Sequence, residues 1–300
     1  MGPAIASENL RATAFMVAAM AAFAIEDFFI KAASRALPVG QIVFLLAIGG
    51  AVIFAGLCVQ RRVPLWSRSF FDRLVVVRNL AEVLATLCFV TALALVPLSL
   101  VAAILQATPL LVTVGAAVWL REHVGCRRWA AVLIGLVGVL IILRPGFEGF
   151  RPATLLAVIA SAGLAARDLA SRRIPSTIDS GQLAFWAYVS VAPAGLALSA
   201  VYGGVASGTA ASWVALALAL VIGSVAYACL IAATRIGDVS AVIPYRYSRL
   251  VFALVLGVAL LGERPDGLTL LGAGIVVSSG LYAWLRERRR AREQRSPPTR

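Results

Sequence analysis

Apolar residues run through this chain in long unbroken stretches, punctuated by charged or Gly/Pro-containing segments. Alternating apolar and polar positions would mark membrane β-strands. Continuous runs near the roughly 20 residues needed to cross a bilayer mark transmembrane helices instead. The runs fall near 11–31, 39–59, 74–94, 98–120 and 128–144, then near 153–172, 180–201, 212–234, 239–261 and 267–285. The pattern predicts ten spans, with the third and fourth joined only by Val96, Pro97 and Leu98 as a tight helical hairpin. Hydrophobic residues fill 61% of the 300 positions and charged residues 14%, too few to clothe a soluble domain. The expected class is an all-α integral membrane protein. A polar leader with Glu8 and Arg11 runs into a full-length span, unlike a cleavable signal peptide.

The runs also repeat. At a fixed offset of 141 residues, Thr13 falls on Thr154, Asp27 on Asp168, Gly40-Gln41 on Gly181-Gln182 and Phe44 on Phe185. Cys88 falls on Cys229, Ser99 on Ser240 and Glu122 on Glu263 in the same register. Matches among Ala and Leu would mean little here; Asp, Gln and Cys are scarce, and one register collects them. Five spans per copy is an odd number, so the second copy is an upside-down image of the first, an architecture of transporters. The expected organisation is a segment 1–10, a five-helix repeat 11–144, an inverted repeat 152–285 and a basic tail 286–300.

Charge orients this frame. With the N-terminus cytoplasmic, the cytoplasmic segments hold 18 of the 27 Lys and Arg residues and the outer loops 5, the other four lying inside spans. That is a positive-inside bias, with both termini cytoplasmic. The loop 60–73 carries four arginines and its repeat-mate 201–214 carries none, as opposite topologies require. The net charge of +13 therefore needs no nucleic acid, and the tail is expected to rest on anionic lipid. Cys58, Cys88, Cys126 and Cys229 show no metal-ligand or CxxC spacing, and His123 is the sole histidine. No metal, cofactor or catalytic cluster is expected, and the chain is not read as an enzyme. A homodimer is compatible with the sequence and not required by it.

One stretch carries a family likeness. Ala92 to Ala103 reads ALALVPLSLVAA, followed by Pro109-Leu110, Leu120-Arg121-Glu122 and Trp129. Its counterpart runs from Ser240 through Leu260-Leu261-Gly262-Glu263 to Leu271-Gly272. These residues resemble the drug/metabolite transporter superfamily, specifically its ten-span EamA-type members. In that family a leucine-rich "LGE"-like turn after the fourth or ninth span recurs. The resemblance covers about residues 11–285. It implies transport of a small metabolite or drug without ATP hydrolysis, usually export, and a bacterial inner-membrane location. Arg121 departs from the pattern where Gly is expected, and Pro109 has no proline counterpart at Leu250.

Ionisable groups within spans cost roughly 2.5–3.5 kcal/mol each to insert, so every one is a site candidate. The acids are Glu26, Asp27, Glu82 and Asp168; the bases are Arg78, Arg167, Arg246 and Arg249. Arg78 and Glu82 are i,i+4, as are Asp27 and Lys31 and their mates Asp168 and Arg172. The last two pairs, on opposite sides of the membrane, suit either the two gates of an alternating-access carrier or structural ion pairs. Glu26, Asp27 and Glu82 are candidates to carry a coupling proton. The strongest binding segment is Ile243 to Arg249. Pro244 bends the helix, Tyr245 and Tyr247 can stack, and Arg246 and Arg249 can grip an anion. The alternative is that both arginines merely answer acids across the bundle. Pro109 is the expected kink of the fourth span. Gln41 and Gln182 read as helix-start caps more than gates. Trp186 and Tyr188 are possible cavity walls.

The expected site draws on the first, third, fourth, sixth, eighth and ninth spans, and the expected ligand is a small anionic or zwitterionic metabolite. Within the family resemblance, Pro-Tyr-Arg-Tyr segments accompany members linked to S-adenosylmethionine, and relatives also move riboflavin. Uptake of such a larger metabolite is thus an alternative, as is a non-transporting membrane scaffold.

Overall fold

The computed structural model describes residues 3–122, 124–145, 150–175, 177–236 and 242–295. His123, Ser240 and residues 296–300 lie outside them. Ten helical spans are long and apolar enough to cross a membrane. They are Leu10–Ala33, Val39–Gln60, Arg73–Leu95, Leu98–Trp119 and Cys126–Leu143, then Thr154–Ser171, Ser180–Val201, Ala210–Ala233, Pro244–Leu261 and Gly267–Arg286. No strand occurs among the described residues. The all-α ten-span expectation is borne out, and the observed ends lie within two residues of it, the expected start of the ninth span at 239–241 lying outside the described residues. Large apolar side chains such as Val52, Leu80, Leu133 and Val251 stand exposed along the span exteriors. Such a surface suits contact with lipid.

The spans associate across the repeat. The first packs on the eighth and ninth, the second on the seventh, the third on the sixth, the fourth on the sixth and ninth, and the fifth on the tenth. Exchanging the copies turns the first–eighth pair into the sixth–third pair, so the set maps onto itself as a two-fold relation demands. Direction follows from close approaches. Gly40 abuts Ser199, Gly50 abuts the Tyr188 ring, and Gly181 lies beside Cys58. As the second span advances, its contacts on the seventh retreat, so these equivalent helices are antiparallel and the repeat is inverted. Small residues let the backbones touch: a Cβ on Gly40 would overlap the Ser199 backbone, and one on Gly138 would crowd the Gly272 carbonyl.

Local detail repeats as well. The Glu122 amide donates to Ala116 O at 3.1 Å, and its mate Glu263 donates to Gly257 O at 2.9 Å. The residue before each glutamate is left-handed: Arg121 has φ 55° and Gly262 φ 66°. Arg62 and Gly203, another mated pair, are left-handed at 56° and 93°. The fourth span is two helices, Leu98–Leu105 and Thr108–Val118, with Pro109 in the first turn of the second. The ninth is a 3-10 turn, Ile243–Tyr247, holding Pro244, followed by the helix Ser248–Leu261. In both copies the break falls at the same register.

Gln41 and Gln182 do not cap their helices. Gln41 exchanges two hydrogen bonds with the Ala206 backbone, at 3.0 and 3.1 Å, and Gln182 donates to Pro64 O at 2.6 Å. Each buried glutamine thus fixes the loop that follows the other's span. The Asp179 side chain caps the seventh span, accepting from the Gly181 amide at 2.7 Å.

Candidate functional site

The antiparallel pairing brings the intramembrane charges of different spans to one polar centre. Asp27, 2% exposed, receives Arg249 from the ninth span, with Nη2 at 2.7 and 2.8 Å and Nε at 3.1 Å from its oxygens. Phe23 and Phe89 flank that guanidinium, their ring centres 5.3 and 5.7 Å from Cζ. A buried carboxylate is tolerable only with such a partner. Arg167 on the sixth span donates to its neighbour Asp168 at 2.8 and 2.9 Å. It reaches Glu82 on the third span at 3.3 and 3.4 Å. Arg78 donates to Asn79 Oδ1 at 3.0 Å and to the Leu183 carbonyl of the seventh span at 2.9 Å.

The i,i+4 spacings therefore do not predict the partners. Glu82 pairs with Arg167 and not with Arg78, and Asp27 pairs with Arg249 and not with Lys31. Lys31 turns to the end of the third span, donating to Leu93 O at 2.8 Å and Val96 O at 2.6 Å. Arg172 is exposed and does not meet Asp168. For Asp27 a tertiary partner wins over the helical neighbour, because in low dielectric the contacts Arg249 makes to both carboxylate oxygens outweigh a loose one.

Two of the charged groups within the spans stay unclaimed among the described residues. Arg246 is exposed and has neither a hydrogen bond nor an ion pair, though it lies within electrostatic range of Asp168, Arg167 and Arg249. Glu26 likewise has no partner, and its carboxylate lies in the gap left by Gly223 on the eighth span. The repeat explains that gap: Glu26 is the mate of Arg167, and Gly223 is the mate of Glu82. Where one copy has an ion pair, the other has a lone acid facing a glycine.

Aromatic groups complete the centre. Tyr188 stacks on Phe54 with centroids 5.6 Å apart at 18°, and Tyr227 meets Phe54 edge-on at 5.0 Å. Both tyrosines lie within electrostatic range of Glu82 and Arg167. Tyr245 is 43% exposed, whereas Tyr247 is buried with its hydroxyl pressed against Gly280 and unbonded. Trp186 is fully buried and donates to Leu65 O at 2.8 Å, a loop anchor and not a wall. The polar centre and its aromatic groups thus use the first, second, third, sixth, seventh, eighth and ninth spans; the second and seventh stand where the fourth was expected. Tyr227 escaped the sequence reading, although it is the only tyrosine in its span.

Known proteins share this plan. Residues 10–144 and 151–283 each match the EamA-like transporter family. The chain is 30% identical over 194 residues to a riboflavin transporter of Vibrio cholerae, covering 65% of each chain, just under two thirds of that relative's length. It is 27% identical over 193 residues to an S-adenosylmethionine uptake transporter of Rickettsia felis, covering 63% of this chain and 64% of the other. It is 25% identical over 260 residues to the pseudopaline exporter CntI of Pseudomonas aeruginosa, covering 85% of this chain and 89% of the other.

Proposed function

The chain belongs to the EamA-like transporter family, within the drug/metabolite transporter superfamily, and on that premise we propose that it moves a small anionic or zwitterionic metabolite by alternating access. It is a multi-pass membrane transporter and not an enzyme. In this reading it exports across a bacterial inner membrane with both termini cytoplasmic, and the halves 11–144 and 152–285 are its two inverted repeats. The observation that carries it is Arg246, an exposed residue whose guanidinium is unpartnered among the described residues, beside a centre whose other described arginines are engaged. A bare cation in a bilayer-spanning bundle calls for an anion, and a carboxylate or phosphate matches its fork.

Glu26 is the acid this reading assigns to proton coupling. Asp27 and Glu82, the other candidates, already hold arginines. Its charged and titratable neighbours are Asp27, Arg249 and Tyr188. A specific observation favours a second reading: the Phe54, Tyr188 and Tyr227 rings would suit a planar ligand. Uptake of a larger metabolite such as riboflavin or S-adenosylmethionine, named for two relatives, is that alternative.

Proteoliposome flux of labelled anionic, zwitterionic and planar metabolites, with and without a pH gradient, tests the proposal. Arg246→Ala should weaken apparent affinity for the transported anion roughly tenfold or more, the worth of one charged hydrogen bond. Unchanged affinity would remove Arg246 from the site. Glu26→Gln should retain counterflow and lose its response to the gradient.

A further inference from the structure

The turn between the third and fourth spans is held at both helix ends by side chains from elsewhere. Lys31 Nζ supplies the two bonds to the Leu93 and Val96 carbonyls, at 2.8 and 2.6 Å. Glu263, just beyond the ninth span, accepts from the Leu98 amide at 2.5 Å, the Ser99 amide at 2.9 Å and the Ser99 hydroxyl at 2.7 Å. The charges suit their sites, an ammonium on the carbonyl end of one helix and a carboxylate on the amide end of the next. Val96, Leu98 and Ser99 are buried beneath them.

The repeat supplies an internal control. The mate of Lys31 is Arg172 and the mate of Glu263 is Glu122. Both mates are exposed, and neither side chain has a hydrogen bond or ion pair among the described residues. The backbone around the two glutamates is the same, down to matching amide bonds to Ala116 and Gly257. The local fold around the two glutamates is shared, and the turn that mates with Val96–Ser99, residues 237–240, lies outside the described residues. The unengaged pair lies at the end of the bundle where Tyr245 and Arg246 are also exposed. A two-fold molecule closed at one face and open at the other breaks its symmetry in this way.

We propose that Lys31 and Glu263 form a latch that keeps the Pro97 face shut, and that its release exposes the transport site on that face. The proposal rests on the alternating-access reading above and adds Glu263 as a positioning residue. Glu263 acts through the turn, without touching the ligand.

Accessibility labelling tests it without a known substrate. In chains whose four cysteines are replaced by alanine, Val96→Cys reports on the Pro97 face and Tyr245→Cys on the opposite one. Purified protein in micelles is treated with a polar maleimide. Glu263→Gln and Lys31→Met should each raise the Val96→Cys labelling rate roughly tenfold, as for loss of one charge-assisted hydrogen bond, and lower that of Tyr245→Cys. Lys31→Arg, which installs the second copy's side chain, should leave both rates near the starting values. Ser99→Ala, which removes one bond of the set, should give a smaller change in the same directions. Unchanged rates in Glu263→Gln and Lys31→Met overturn the latch. So does a rise at Val96→Cys without a fall at Tyr245→Cys, which would be loosening of the turn and not a change of face. Reciprocal labelling with no flux of any metabolite would instead count against the transport reading and leave the latch standing.

Discussion

Replacing Asp27 should reveal whether its ion pair is structural or moves during transport. The pair joins the first and ninth spans through three contacts of 2.7 to 3.1 Å, and the acid is 2% exposed. Asp27→Asn leaves Arg249 facing a neutral amide in a low-dielectric setting. Stranding one member of a buried pair typically costs 3–5 kcal/mol. The Arg249 side chain keeps 22% exposure and two aromatic faces, which lessen the penalty, so about 3 kcal/mol is expected. That corresponds to a fall in apparent melting temperature on the order of 10 °C. Removing both charges, as in Asp27→Asn with Arg249→Gln, should recover most of the loss and give a coupling of about 2 kcal/mol. Thermal unfolding in one detergent, followed by size-exclusion chromatography, reads all four forms of the cycle. Additive losses, with the double variant no better than the sum of the singles, would refute the pairing argument. If the double variant is stable yet does not transport, the pair also serves the moving states.

Other consequences are as direct. Gly40→Ala must push the second and seventh spans apart at Ser199, so it should destabilise by more than about 2 kcal/mol, while Gly56→Ala, with open space around it, should be near neutral in the same melt. Arg121→Gly should stabilise by about 0.5–1 kcal/mol by relieving a left-handed arginine; a lower melting temperature would show that its side chain matters more than its backbone. The Arg144 guanidinium and the Thr269 amide hold the Asp266 carboxyl at about 2, below its ordinary 3.8. This depressed group stabilises the fold above pH 3.8 and ceases to do so as pH falls through 2. Asp266→Asn should therefore lower stability at pH 7, by less than about 1 kcal/mol at so exposed a site, and should match the parent near pH 2.

Spans, repeat and inversion were legible because they rest on quantities a linear string carries: run length, an offset and the distribution of arginines. The ion pairs were not. Asp27 lies 222 residues from Arg249, and Glu82 lies 85 from Arg167. Apart from Arg167 and its neighbour Asp168, nothing local says which acid meets which base; helix packing decides that. The offset could have helped further. It superposes Glu26 on Arg167 and Gly223 on Glu82, so a charge reversal opposite a missing side chain was already visible as a broken pair. The same offset puts Gln41 beside one loop and Gln182 beside its mate, although their position just after a glycine suggested capping.

The left-handed residues carry a consequence of their own. The second copy fills both such positions with glycine, Gly203 and Gly262, which accept that backbone freely; the first uses Arg62 and Arg121, which do not. The finished fold asks the same of all four. Under the proposed orientation, Arg62 and Arg121 flank cytoplasmic loops, and their charge is read while the chain is still being inserted, before any backbone angle is set. Under that orientation these two arginines would carry an insertion signal that the glycines do not. A protein symmetric in space is thus asymmetric in the order of its making. Exchanging both arginines for glycine should firm the folded carrier while removing two of the signals that orient it.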